Sequence, residues 1–240
     1  MKPTKGEVHI NRQPTETSCG PTCLHALYSY YGRDVSIESI MDEVDWLPTG
    51  GTLAVHLGIH ALREGFRAKI YSYNIMLFDP TWFRPERLSS KELIAKLEQQ
   101  RDAKKADARF RSAIDAYIQF ITDGGEVMME DLSPDLLRRY LQKKTPLLTG
   151  LSSTYLYQAP REFVAEGRQW ADDVHGTPEG HFVIIEKYNH RTRHVTIADP
   201  FATNPYSPNL RYTVSLSRLV TAILLGVLTY DANFLVVEPI

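Results

Sequence analysis

The chain has 240 residues, of which 43% are apolar and 23% are charged, and its formal net charge at pH 7 is −2. These values are typical of a globular protein with one substantial core or at most two small domains. The weak net charge and the lack of an obvious basic stripe argue against nucleic-acid binding. The N-terminal residues contain no apolar stretch typical of a secretory signal, and the longest apolar run, 219–228, is far shorter than the ~20 residues of a membrane span. The composition therefore favours a soluble, cytoplasmic protein.

The first half of the chain predicts mainly helices. Apolar side chains recur every three to four residues over 17–31, which predicts a first helix with Thr17 or Ser18 as its cap. A second short helix is expected over 36–43. The turn-rich stretch LPTGGT then leads to a third helix that begins at a cap on Thr52 and ends near Leu62.

A strand and a charged helical segment come next. The alternation FRAKIYSY over 66–73 predicts a strand, and the aromatic stretch FDPTWFRP that follows predicts a loop. Residues 89–120 are charged and rich in helix formers, and they open with a capping-box pattern at Ser89 and Glu92. We interpret this segment as two helices that form an insertion or a lid.

The second half of the chain predicts mainly strands. A helix is expected over 133–142, followed by a buried strand over 146–153. Residues 181–189 and 194–200 predict a hairpin, and 233–239 predicts a last strand. Helices that precede an antiparallel sheet indicate an α+β fold.

One cysteine, Cys19, has the surroundings of a nucleophile. It lies at the predicted start of the first helix, where unpaired backbone N–H groups and the helix dipole stabilise a thiolate. The same N–H groups can bind a developing oxyanion. Gln13 lies six residues upstream, at the end of an extended arm predicted over 1–12, and from such an arm its amide can donate a second hydrogen bond.

A thiolate that cleaves an amide also needs a base that later protonates the leaving amine. His181 opens the first strand of the predicted hairpin, and Asp199 ends the second strand. The hairpin would therefore bring the two side chains together, so that Asp199 orients the imidazole.

Other residues are weaker candidates for the same roles. His175 is an alternative base, although VHGTPEGH reads as a loop that leads into the strand. Asp79, in a second Asp-Pro pair, and Asn189 or Asn204 are alternative orienting residues. Cys23, one turn after the proposed nucleophile, is expected to be an inert packed thiol.

Redox and metal sites are disfavoured. The string CGPTC has three residues between its cysteines, whereas the thioredoxin motif has two. His56 and His60 have the i, i+4 spacing that zinc can use, but no glutamate follows His56 and no third ligand is evident. We therefore expect no metal and no cofactor.

The motifs together resemble a known family. Four motifs resemble those of the bacteriocin-processing cysteine peptidases. They are a Gln six residues ahead of Cys-Gly at a helix start, a helix that ends in YYG, the stretch GHFVII and a hairpin that ends in Asp-Pro. Those papain-like domains cleave double-glycine leader peptides. The matching positions run over 13–39 and 137–200.

The resemblance implies a papain-like cysteine peptidase fold, with an N-terminal catalytic helix packed on an antiparallel sheet and a helical insertion. It implies Cys19 as the nucleophile and His181 as the general base. It further implies Asp199 as the orienting residue and Gln13 as an oxyanion donor.

We expect one papain-like domain over 1–240, in which about 46–130 departs from the compact family domain as a partly helical, subgroup-specific elaboration. No transporter or ATPase segment follows, which favours a stand-alone peptidase over leader cleavage during export.

The expected activity is that of a cysteine peptidase-like hydrolase that cleaves a peptide or isopeptide amide in a peptide or protein substrate. Two alternatives stay open. One is an acyl or peptidyl transferase that uses the same thioester, and the other is a catalytically silent peptide-binding module. The sequence identifies neither the substrate nor the oligomeric state.

Overall fold

A seven-stranded sheet forms the centre of the fold in the computed structural model, which describes residues 7–47, 50–104, 108–165 and 167–240. The strands in chain order are β1 (Phe66–Ser72), β2 (Glu126–Met128), β3 (Leu147–Ser152), β4 (Glu162–Ala165), β5 (Arg168–Ala171), β6 (Gly180–Asn189), β7 (His194–Ala198), β8 (Arg211–Ser215) and β9 (Asn233–Pro239). The sheet order is β2-β1-β9-β3-β6-β7-β8, and β4 and β5 form a separate hairpin. The pair β1–β2 is parallel, and the other paired strands are antiparallel. The predicted antiparallel sheet is confirmed.

Helices cover both faces of this sheet. Within the described residues they are α1 (Cys19–Tyr30), α2 (Ile37–Glu43), α3 (Ala54–Arg63), α4 (Ser90–Ala103), α5 (Ala108–Thr122), α6 (Pro134–Leu141), α7 (Ser153–Tyr157) and α8 (Leu216–Leu225). Residues of α1 to α5 share one apolar cluster with Leu148 and Ile184 of the sheet. Residues of α6 to α8 share a second cluster with Leu147 and Ile185. Adjacent residues of one strand thus enter opposite clusters, because successive strand side chains point to opposite faces.

Most predicted elements are present. The short helix expected over 36–43 is α2, and the last strand expected over 233–239 is β9. The charged segment forms α4 and α5, and the predicted capping box is confirmed: the Ser89 hydroxyl accepts from the Glu92 N–H, and the Glu92 carboxylate accepts from the Ser89 N–H.

Neither of the two predicted side-chain caps, at the starts of α1 and α3, forms the expected capping hydrogen bond. Ser18 occupies the N-cap position of α1, but its hydroxyl bonds to Thr15 and leaves the first turn of the helix uncapped. Leu53, not Thr52, is the N-cap of α3. The Thr52 hydroxyl instead donates to the carbonyl of Asp45 at 2.8 Å, because that loop carbonyl needs a donor.

The sequence patterns did not predict several short elements, among them β2, α7, β8 and the β4–β5 hairpin. The apolar run 219–228 lies mostly in α8, which packs on the sheet. In the described part of the chain, no helix combines the length and apolarity needed to cross a membrane. Residues 1–6 of the expected arm and 48–49 of the expected turn lie outside the described residues.

The described part of the N-terminal arm is fixed to the sheet by a buried carboxylate. The β6–β7 register shifts at Glu186, and a bulge of this kind redirects a side chain. The Glu186 carboxylate accepts from the N–H of Val8 at 2.8 Å and pairs with the Arg211 guanidinium at 2.7 Å. Arg211 also donates to the carbonyl of Val8. The arm that carries Gln13 is therefore attached to β6 and β8.

We expect Glu186→Ala to lower the free energy of unfolding by about 3 kcal/mol, because it leaves a guanidinium and a backbone N–H without their shared acceptor. Urea denaturation measures this change. Lys187→Ala is the matched control on the same strand: its exposed ion pair with Glu7 contributes about 1 kcal/mol or less. Equal losses in the two variants would contradict the anchoring role of Glu186.

Candidate active site

Cys19 is the first residue of α1 and is 8% exposed. Because Ser18 makes no cap and Pro21 has no N–H, the helix start leaves the N–H groups of Cys19 and Gly20 without an acceptor among the described residues. Two backbone donors are thus available beside the Cys19 thiol. The uncapped start is an arrangement in which a bound anion can take the place of the missing cap.

Close packing of α1 on β6 determines where the thiol lies. The Cys23 thiol donates a weak hydrogen bond to the carbonyl of Phe182 at 3.4 Å, and Cys23 is fully buried. A Cβ on Gly20 would lie 2.9 Å from Cγ2 of Thr52 and 3.1 Å from the Phe182 ring, so the approach requires a glycine. The helix start is therefore held against the residue that follows His181.

His181 connects the thiol to a buried carboxylate. Its Nε2 lies 2.9 Å from Oδ1 of Asp199. The ring is also near enough to Cys19 for the charge of that side chain to act on its pKa. Since Nε2 faces the carboxylate, Nδ1 is the nitrogen left for the thiol. Burial alone would lower the pKa of His181, but the charges of Asp199 and Cys19 outweigh it and raise this pKa to about 10.

Asp199 is fully buried, and its carboxylate accepts four hydrogen bonds. Oδ1 accepts from His181 and from the N–H of Phe201 at 2.9 Å. Oδ2 accepts from the hydroxyls of Tyr157 at 2.7 Å and Tyr212 at 2.6 Å. Burial opposes ionisation, yet the ion pair with His181 and these hydrogen bonds lower the pKa of Asp199. The arrangement stabilises a carboxylate, not a carboxylic acid.

The hairpin geometry explains this juxtaposition. The β6–β7 ladder ends at the pair Ile184 and Ala198. His181 lies three residues before the first of these and Asp199 directly follows the second, so both lie at the same end of the hairpin. The predicted neighbourhood of the two residues is thus present in the structure.

Gln13 reaches the same end of the sheet, but its amide is already engaged. Its backbone N–H donates to the carbonyl of Pro200 at 3.1 Å. Its Nε2 donates to the carbonyls of Thr15 at 3.0 Å and Glu16 at 2.9 Å, and its Oε1 is buried without a donor among the described residues. To donate to an oxyanion, the Gln13 Nε2 would have to give up one of these two hydrogen bonds.

The alternative site residues are engaged elsewhere. His175 pairs with Asp172 at 3.0 Å on an exposed loop. Asp79 caps a short 3-10 helix through Thr81, and Asn204 donates within its own loop.

His56 and His60 each face one carboxylate, of Asp45 and Glu43 respectively, at 3.6 Å. In the described ranges, no group of three or more acidic, histidine or cysteine side chains could hold a metal ion.

A cleft of about 480 Å³ opens beside His181. It lies between α7, the β4–β5 hairpin and the loop over 201–205, and Gln13, Tyr157 and Phe201 line it. This volume lies in the range of ligand-binding clefts.

Sequence reasoning missed the two tyrosines that bind Asp199. Tyr157 lies in a five-residue helix and Tyr212 in a five-residue strand, and neither element has a distinctive pattern. The alternation RYTVS, with Tyr212 and Val214 buried, was the one available signal.

We expect Asp199→Asn to lower the pKa of His181 by about one to three pH units, since an opposite charge at contact distance contributes that much and burial then acts unopposed. An NMR titration of the imidazole nitrogens measures the change. Asp79→Asn, at the second Asp-Pro pair, serves as control and should leave the titration of His181 unchanged. A wild-type His181 that titrates near its ordinary value of about 6.5 would contradict the ion pair.

Comparisons with known proteins agree with this architecture. The model of the Peptidase C39 family matches residues 7–99, a segment that includes Gln13 and Cys19 but neither His181 nor Asp199. Among curated proteins, no relative matches.

Three solved structures are similar to the chain. A Bacillus anthracis protein assigned as a C39-like peptidase has 12% identity and a TM-score of 0.51, over 97% of this chain and 96% of that one. The peptidase domain of Streptococcus ComA, a bifunctional ABC transporter involved in quorum sensing, has 13% identity and a TM-score of 0.44, over 98% and 100%. Xylellain, a cysteine protease from Xylella fastidiosa, has 12% identity and a TM-score of 0.40, over 96% and 82%.

Of these three scores, the first indicates a shared fold, and it spans nearly the whole of both chains. The fold that the resemblance implied is confirmed: the chain has an α+β fold similar to that of the Bacillus anthracis protein.

Proposed function

We propose that this protein is a cysteine hydrolase that cleaves a peptide or isopeptide amide, with Cys19 as nucleophile, His181 as general base and acid, and Asp199 as the residue that orients the imidazole. One observation carries the proposal. A cysteine at an uncapped helix start belongs to a helix that packs on the strand carrying a histidine, and Nε2 of this histidine binds a buried carboxylate.

The first half of the reaction forms a thioester. The Cys19 sulfur attacks the carbonyl carbon while His181 holds the proton as an imidazolium, which Asp199 stabilises. When the tetrahedral intermediate collapses, the C–N bond breaks and His181 gives its proton to the leaving amine. The high pKa of His181 suits the imidazolium resting state.

The second half regenerates the enzyme. His181, now neutral, accepts a proton from a water molecule that attacks the thioester carbonyl. Collapse of this second intermediate breaks the C–S bond and releases the carboxylic acid. It leaves the Cys19 thiolate beside the imidazolium, which keeps the proton taken from water. Atoms and protons balance with water as the co-reactant.

The oxyanion needs donors at the helix start. The N–H groups of Cys19 and Gly20 support this role because neither has an acceptor among the described residues. We keep Gln13 as the side-chain donor in the proposal, with release of one of its two carbonyl partners as the step that frees it.

We further propose that the whole chain acts as one papain-like domain, with 46–130 as an elaboration. The position of β1 within the central sheet and the packing of α3 against it support an elaboration that is continuous with the core. Two free thiols one helical turn apart support a reducing compartment such as the cytoplasm as the place of action.

We expect Cys19→Ala to lower the rate of amide cleavage at least about 10³-fold, because no other group replaces the nucleophile. Cleavage of a peptide library, followed by mass spectrometry, measures the rate. Cys23→Ala is the matched control, since it removes a buried thiol one turn away, and it should retain activity within about threefold. Cleavage by Cys19→Ala at the wild-type rate would rule the mechanism out.

The same experiment distinguishes the alternatives. Added amines that appear in the products would identify an acyl or peptidyl transferase. Tight peptide binding without any product would identify a silent binding module.

We expect Gln13→Ala to lower kcat by about 10²-fold or more, as the loss of one oxyanion donor does, with KM nearly unchanged. Steady-state kinetics on one cleaved peptide measures both constants. A merely structural role in the turn over 13–18 would instead lower the free energy of unfolding and leave kcat intact.

A further inference from the structure

Three carboxylates line the cleft beside His181. They belong to Glu16 on the N-terminal arm, Glu162 at the start of β4 and Glu179 just before β6. Three separate segments thus contribute acidic groups to one space. Among the described residues that line the cleft there is no lysine or arginine, and the one basic side chain is the buried imidazole of His181.

These carboxylates have no counter-ion among the described residues. In the described parts of the chain, none of the three has a salt-bridge partner or a hydrogen-bond donor to its side chain. By contrast, Glu186, also beside the sheet, has its own arginine. A carboxylate group without an internal partner is left to interact with whatever enters the cleft.

Mutual repulsion follows from this crowding. Burial, with the charge of Glu162, raises the pKa of Glu179 to about 7, and burial, with the charge of Glu16, raises the pKa of Glu162. A cation between these groups would relieve the repulsion.

Two other features of the same cleft also suit a cation. Trp170, on β5, lines the cleft and is 45% exposed, although an indole of this size is usually more buried. Indole faces attract ammonium and guanidinium groups. The Oε1 atom of Gln13, in the same lining, is buried and accepts no hydrogen bond from the described residues, so it is a free acceptor.

From the cleft, its three unpaired carboxylates, the exposed indole and the free amide oxygen, we infer that the substrate carries a lysine or arginine side chain that binds between Glu162 and Glu179 next to the scissile amide. The inference rests on the proposed function, since it treats this cleft as the substrate channel. It goes further by assigning a basic peptide segment as the substrate class.

Peptide binding tests the assignment without requiring cleavage. The full-length Cys19→Ala variant is titrated with three acetylated, amidated hexapeptides that have alanine at the ends and two lysines, two norleucines or two glutamates in the centre. Isothermal titration calorimetry gives the affinities. Tryptophan fluorescence, to which Trp170 contributes together with Trp46 and Trp82, provides a second readout. We expect the lysine peptide to bind about tenfold more tightly than the norleucine peptide, and the glutamate peptide to bind more weakly still.

Charge-neutral variants locate the effect. Glu162→Gln with Glu179→Gln should lower the affinity for the lysine peptide about tenfold and leave the norleucine peptide unchanged. Glu98→Gln, an exposed glutamate on α4, is the matched control and should change neither affinity. Because a charge effect is screened by salt, the lysine preference of the unsubstituted cleft should also shrink as ionic strength rises, a readout that needs no cleft variant.

The outcomes separate the two proposals. Equal affinities for lysine and norleucine peptides, or a lysine preference that survives both substitutions, would overturn the basic-substrate inference. If no cleavage depends on Cys19 but the lysine preference depends on Glu162 and Glu179, the proposed hydrolase function is overturned and the basic-substrate inference stands. If the wild type cleaves peptides without enrichment of lysine or arginine near the cut, the basic-substrate inference is overturned and the hydrolase function stands.

Discussion

The buried carboxylate of Asp199 is the constraint on which the site depends. A charge removed from water is costly unless every lone pair finds a donor. Asp199 meets this requirement with His181, the Phe201 N–H and two tyrosine hydroxyls. These donors come from α7, β6, β8 and the segment after β7, so one carboxylate joins four parts of the fold at the end of the sheet. The imidazole that faces Cys19 is held in place by the same network.

The positions of the remaining groups follow from packing on the same strands. The α1 helix packs tightly on β6, where a Cβ on Gly20 would lie 3.1 Å from the Phe182 ring, and this packing brings Cys19 toward the histidine. The arm that carries Gln13 is attached by Glu186, at the bulge of β6, and by the Pro200 carbonyl next to Asp199. Cys19, His181 and Gln13 therefore come from three separate segments, and each of these segments is β6 or is attached to it.

The sequence indicated the main elements of this site because they depend on local patterns. A helix start at Cys19 and a hairpin from 181 to 199 suffice to expect a thiol, an imidazole and a carboxylate together. The tyrosines that saturate Asp199 lie in elements too short for periodicity, and the engagement of the Gln13 amide depends on the turn that follows it. The predicted caps at Ser18 and Thr52 are wrong because carbonyls of the preceding turns compete for the hydroxyl groups that propensity assigns to helix ends.

The central claim is that His181 activates the Cys19 thiol, and covalent labelling tests it most directly. Intact mass spectrometry after treatment with a peptidyl vinyl sulfone would count the adducts, and peptide mapping would locate them. The account predicts a single adduct on Cys19, with a labelling rate that falls at least about 10²-fold in His181→Ala. Labelling of Cys23, or an unchanged rate at Cys19 without the imidazole, would contradict it.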